Sequence, residues 1–110
     1  MGNKSPYALA KDLEGQVSRS LRSIEHSKLD SRQRDMIASL NQNLSDVRTY
    51  TKDYELSETR LEQEKNAKLA KKYLNRSQKE ILAISQFGVF NPVDVAQLSA
   101  MIGLISGGLA

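Results

Sequence analysis

The chain has 110 residues, of which 39% are hydrophobic and 26% are charged, a balance that is ordinary for one soluble helical domain. It contains no cysteine, which excludes disulfide frameworks, thiolate metal sites and cysteine nucleophiles. The net charge of +3 allows an anionic partner without requiring one.

A first amphipathic helix is predicted over about residues 6–28. Ser5 is a suitable N-cap, and Pro6 follows at the first helical position, where its missing N–H costs no hydrogen bond. Apolar residues then recur every three or four positions, at Leu9, Leu13, Val17, Leu21 and Ile24. The first residues lack the apolar core of a secretory signal, so we expect a cytoplasmic location or export by a signal-independent route.

The central stretch, residues 31–86, contains neither Gly nor Pro, and Asp30 with Gln33 forms a capping-box pattern at its start. We predict one long helix here, antiparallel to the first because the connection is short. Its apolar residues alternate steps of three and four, as in the a/d seam of a coiled coil. The interface residues predicted from this seam are Ile37, Leu40, Leu44, Val47, Tyr54, Leu61, Leu74, Ile81 and Ile84.

The two halves of the seam are out of phase with each other. Leu61 predicts the next seam positions at Lys65 and Lys68, whereas the apolar residues fall one place earlier. A polar segment over residues 55–66 lies between the halves, and a hairpin bend would form there if the rod folds back. A break near 62–66 or 75–77 is the alternative to one helix, and it would let the chain close into a compact antiparallel three- or four-helix bundle.

The C-terminal part is apolar, since Asp94 is the only charged residue from Ile81 to Ala110. We predict a turn over 87–91 and then a helix over about 92–106, with Asn91 as its N-cap. This helix is too short to span a bilayer, and it lacks the Lys and Arg rim of a membrane-surface helix. We therefore expect it to pack on the other helices or on copies of the chain, through Val95, Leu98, Ile102 and Ile105.

A block of basic residues follows the polar segment and could contact nucleic-acid phosphates. Its charges are interpreted as spread around the helix, with only Tyr73 among them, and this disfavours a nucleic-acid partner. The candidate contacts are Lys65, Lys68, Lys71, Lys72 and Arg76.

Catalytic chemistry has little support in the sequence. His26 is the single histidine, and without a second His, a Cys or a carboxylate cluster it cannot assemble a metal site. No serine lies in a nucleophile-elbow context, and no glycine-rich loop follows a strand pattern. We predict no enzyme activity, no catalytic residue, no metal and no cofactor.

These patterns predict an all-α chain, a helical hairpin with one long coiled-coil-like helix and a short apolar C-terminal helix. In size, in the absence of Cys and in the apolar last helix, it resembles the small helical-hairpin proteins that bacteria export, such as secretion needle and rod subunits. The Trp-x-Gly turn of one such group is missing. We expect a non-enzymatic assembly subunit, as in a secretion or virion-type assembly, that self-associates or binds a protein partner. The alternatives are a small nucleic-acid-binding accessory protein and a membrane-active tail over 81–110.

Overall fold

The computed structural model describes residues 4–24 and 26–109. Four α-helices lie in these ranges: α1 (Pro6–Arg22), α2 (Ser31–Leu56), α3 (Arg60–Ser85) and α4 (Pro92–Gly108). A short 3-10 helix, His26–Lys28, connects α1 to α2. The described residues contain no strand, so the all-α prediction is confirmed.

Helix α1 begins where its cap predicts and ends earlier than expected. The Ser5 hydroxyl accepts a hydrogen bond from the Ala8 amide at 3.2 Å. The helix ends at Arg22, so the predicted end near residue 28 is wrong. The Ser23 hydroxyl donates to the Ser20 carbonyl at 3.0 Å, and a side chain that bonds the backbone in this way competes with continuation of the helix.

The structure also corrects the prediction of one helix over 31–86. Helix α2 starts at the capping box, in which the Gln33 amide donates to Asp30 at 2.8 Å and the Asp30 amide donates to the Gln33 side chain at 3.0 Å. It stops at Leu56, and α3 starts at Arg60. The break lies within the polar segment 55–66, as a folded-back rod requires, but the alternative break points 62–66 and 75–77 both lie inside α3.

Hydroxyl side chains close the turn between α2 and α3. The Ser57 hydroxyl donates to the Asp53 carbonyl at 2.7 Å and accepts from the Asn66 amide group at 3.1 Å. Two residues on, the Thr59 hydroxyl accepts from the Glu62 amide at 3.1 Å and caps α3. A serine and a threonine therefore break the helix without Gly or Pro, because they satisfy backbone groups that the continuing helix would otherwise satisfy.

The Thr59 cap has a measurable consequence. We expect Thr59→Ala to lower the free energy of unfolding by about 1 kcal/mol, because the Glu62 amide loses its acceptor. The matched control is Thr49→Ala on the exposed side of α2, where the hydroxyl bonds only the Ser45 carbonyl four residues earlier. Alanine is the better helix former there, so this control should be neutral or slightly stabilising. Urea denaturation followed by circular dichroism measures both, and an equal loss in the two variants would contradict the cap.

Helices α2 and α3 pack side by side as an antiparallel pair. The Asn43 amide group donates to the Glu80 carboxylate. Nearer the turn, the rings of Tyr50 and Tyr73 stack with their centroids 5.6 Å apart. The second contact joins residues that lie closer to the turn, on both helices, than those of the first contact. Helix α3 therefore runs back along α2.

The outer helices complete the packing. Helix α1 runs antiparallel to α2, since the Tyr7 amide donates to Glu55 at 3.1 Å and Arg48 pairs with Glu14 at 3.0 Å. Helix α4 packs on both α3 and α1. Each helix thus contacts its two neighbours around a shared core, an arrangement compatible with the compact antiparallel bundle given above as the alternative fold.

The turn before α4 lies where the sequence places it. Ser85 ends α3, and Gly88 adopts a left-handed backbone conformation with φ of +77°. The Asn91 side chain accepts from the Asp94 amide at 2.8 Å and caps α4. Helix α4 reaches Gly108, two residues beyond the predicted 106.

Candidate functional site

The predicted seam residues lie mainly in the core of the single chain. Tyr54 and Val95 are partly buried, and Leu61 is 78% exposed. The seams of α2 and α3 therefore pack on each other and on α1 and α4. The buried members of the predicted interface are Ile37, Leu40, Leu44, Val47, Leu74, Ile81, Ile84, Leu98, Ile102 and Ile105.

Leu61 is the predicted seam residue that faces solvent. It follows the turn, and α3 restarts at Arg60 with its own phase, which buries Ala67, Ala70 and Leu74. The sequence already indicates that the seam does not continue past Leu61, because its next positions, Lys65 and Lys68, would place two lysines in the core. The phase slip marks the end of the first seam.

Helix α4 carries an exposed face without charge. Its inner side buries Leu98, Ile102 and Ile105. On the opposite side, Val93 is 74% exposed and Leu104 is 63% exposed. We define the α4 outer face as the exposed residues that share this side at helical spacing: Val93, Ala96, Gln97, Ala100, Gly103, Leu104 and Gly107.

Neighbouring helices extend this face on both sides. On α3, the Gln78 side chain donates to the Ser99 hydroxyl of α4 at 2.9 Å, and Leu82, one turn further, is 46% exposed. On the other side, a shallow groove separates Pro6 and Leu9 of α1 from the glycines near the end of α4. Lys4 borders the groove and pairs with Asp12 at 2.6 Å. The surface from Leu82 to Leu9 therefore combines apolar side chains with uncharged polar ones, and one ion pair lies at its edge.

Comparison of the chain with protein-family models, curated proteins and solved structures finds no match. Its function is accordingly inferred from its own surfaces.

The C-terminal tail is part of the bundle core. Phe90 and Leu109 are buried together with the inner side of α4. In the described part of the chain, no helix is both long and apolar enough to cross a bilayer. Membrane insertion of residues 81–110 would require α3 and α4 to withdraw these side chains from the core.

The charges of the basic block are arranged more regularly around the helix than the sequence interpretation states. Lys71 is half-buried, whereas Lys65, Lys68, Lys72 and Arg76 are exposed, and so is Lys79. Successive members of the exposed set are three or four residues apart, so they share one side of α3. The interpretation of charges spread around the helix is therefore wrong for these residues. We define the α3 basic stripe as Lys65, Lys68, Lys72, Arg76 and Lys79.

Side chains that could ligate a metal do not cluster in residues 4–24 and 26–109. These residues contain no group of three His, Cys, Asp or Glu side chains that could hold a metal ion. The His26 side chain lies outside the described part of the structure. The two features that stand out are both surfaces: the α4 outer face, which the sequence analysis missed, and the α3 basic stripe. The missed face has a sequence signal, since Asp94 is the only charged residue of α4.

Proposed function

We propose that this chain is a non-enzymatic helical-bundle subunit that self-associates through the α4 outer face. The observation that carries the proposal is the pair of large apolar side chains, Val93 and Leu104, exposed on a helix side that has no charged residue. Exposed apolar patches of this kind are typical of interaction sites.

A second copy of the chain suits this face because the face is self-complementary. Ala96, Ala100, Gly103 and Gly107 are small, so two α4 helices can approach closely while Leu104 and Val93 fill the space beside them. A two-fold axis would place the same patch on both copies.

The size of the patch indicates that α4 is not the whole interface. A helix of 17 residues is about 25 Å long, and a face about 10 Å wide is well below the roughly 800 Å² that each partner of a stable dimer buries. Leu82 on α3 and Leu9 on α1 flank the face and would enlarge the buried area. The proposed interface is thus α4 with its two apolar borders, whereas the coiled-coil seams serve the fold of each chain.

The test compares two exposed leucines by light scattering coupled to size exclusion at increasing protein concentration. We expect the native mass to rise toward that of a dimer and Leu104→Asp to remain a monomer. Leu61→Asp should behave as the native chain, because Leu61 is even more exposed but lies at the start of α3, outside the α4 outer face. Circular dichroism checks that both variants stay folded. A native chain that is monomeric at every concentration, or equal behaviour of the two variants, would refute the proposal.

A further inference from the structure

The α3 basic stripe is a straight row of five cations. At 100° per residue, Lys65, Lys68, Lys72, Arg76 and Lys79 fall within an arc of about 80°. The fourteen steps from the first to the last span about 21 Å of a rigid helix. All five side chains are exposed. The stripe therefore presents one positive charge per helical turn, or slightly more, to a partner on one side.

On α3, carboxylates border the stripe only at its two ends. The sequence has no acidic residue between Glu64 and Glu80. Glu64 pairs with Arg60 at 3.2 Å, and Glu80 accepts from Asn43 on α2. Within the described residues, none of the five stripe cations forms an ion pair.

An aromatic side chain supports the middle of the stripe. The Lys72 ammonium lies 5.7 Å from the centre of the Tyr73 ring, and the Arg76 guanidinium carbon lies 5.3 Å from it. Tyr73 is fixed in turn by its stack on Tyr50, whose plane differs by only 6°. Cation–π contacts leave the N–H groups of both cations free to donate to an anion.

We propose that the α3 basic stripe binds the sugar-phosphate backbone of duplex DNA. A stiff duplex carries about one negative charge per 1.7 Å of its axis, on two strands that wind around that axis. A straight row of five cations about 21 Å long, laid against the duplex, therefore meets phosphates along its length. Lys and Arg contacts to phosphates do not read bases, so the binding is independent of sequence.

Two other anionic partners fit the stripe less well. An amphipathic helix binds a membrane surface through its apolar side, but the apolar side of α3, including Leu74 and Ile81, is buried in the core. Single-stranded nucleic acid binds on free aromatic faces, whereas Tyr50 and Tyr73 stack on each other. The observations thus favour a duplex backbone.

The experiment measures fluorescence anisotropy of a labelled DNA duplex of about 24 base pairs titrated with the full chain. With five phosphate contacts, raising the salt from about 50 to about 200 mM should weaken binding roughly 500-fold. Lys68→Glu combined with Lys72→Glu should weaken binding at least about tenfold. It should also lower the magnitude of the slope of log K against log salt concentration by about two. The control, Arg34→Glu with Lys52→Glu, makes the same charge change on the exposed residues of α2.

The control separates the stripe from net charge, because both double variants lower the net charge equally. We expect the α2 variant to retain binding within a few-fold of the native chain. The proposal is overturned by no binding at the lowest salt, by equal losses in the two variants, or by tighter binding to single-stranded DNA or to vesicles of anionic lipid. Circular dichroism establishes that each variant is folded, and Lys68→Gln with Lys72→Gln replaces the Glu variant if it is not.

Discussion

Leu74→Ala is expected to lower the free energy of unfolding by about 2–5 kcal/mol, whereas Leu61→Ala should change it by no more than about 0.5 kcal/mol. Both leucines belong to the seam predicted from the sequence, and both lie on α3. Leu74 is 1% exposed in the centre of the core, so truncation leaves a cavity there. Leu61 is 78% exposed and loses little contact.

Urea denaturation of the two variants measures this difference, and it also separates two architectures. In a continuous rod that associates through both halves of the seam, each leucine would face a partner helix and both truncations would be costly. In the hairpin, only Leu74 has a partner. A large loss in Leu61→Ala would therefore contradict the break at Ser57–Thr59.

Most of the local structure could be predicted from the sequence. Ser5, Asp30 and Asn91 each cap a helix start, and their side chains accept from the backbone amide three residues later. Gly88 lies in the turn predicted before the last helix. These features depend on a few neighbouring residues, so the local sequence determines them.

The break between α2 and α3 could not be predicted as readily. Ser57 and Thr59 resemble many other hydroxyl residues of the chain, and Ser77 lies at the alternative break predicted over 75–77. In the structure Ser77 is buried and donates to the Tyr73 carbonyl at 2.8 Å, well inside α3. Local propensity is similar at the two places. The two places are distinguished by the packing of α3 back onto α2. This packing depends on residues far apart in sequence.

The candidate surfaces show a different limit of sequence reasoning. Apolar periodicity identifies the side of a helix that is covered, but it does not tell whether the partner helix belongs to the same chain. Periodicity therefore assigns Ile37 and Ile84 to an interface, although they are buried within the chain. The basic stripe is different, because the spacing from Lys65 to Lys79 can be counted in the sequence alone. Its exposure and its freedom from ion pairs required the structure.

Ile105→Asp is expected to unfold the chain, while Leu104→Asp, one residue earlier, should leave it folded. The Ile105 side chain is fully buried where α4 packs on the rest of the core. The change loses about 1.5–3 kcal/mol of apolar burial and adds several kcal/mol for an unpaired buried carboxylate. This total approaches the whole stability of a typical domain, about 5–15 kcal/mol. Leu104 is 63% exposed, so its variant should cost no more than about 1 kcal/mol.

Thermal unfolding followed by circular dichroism tests the inner side of α4, and light scattering tests its outer face. We expect Ile105→Asp to lose the cooperative transition, because the inner side holds the bundle together. We expect Leu104→Asp to keep the transition and to lose only the concentration-dependent increase in mass. If Ile105→Asp instead melts cooperatively near the native temperature, then α4 is not an integral part of the core. The apolar inner side would in that case be available to a partner, and the division of α4 into a folding side and an assembly side would be wrong.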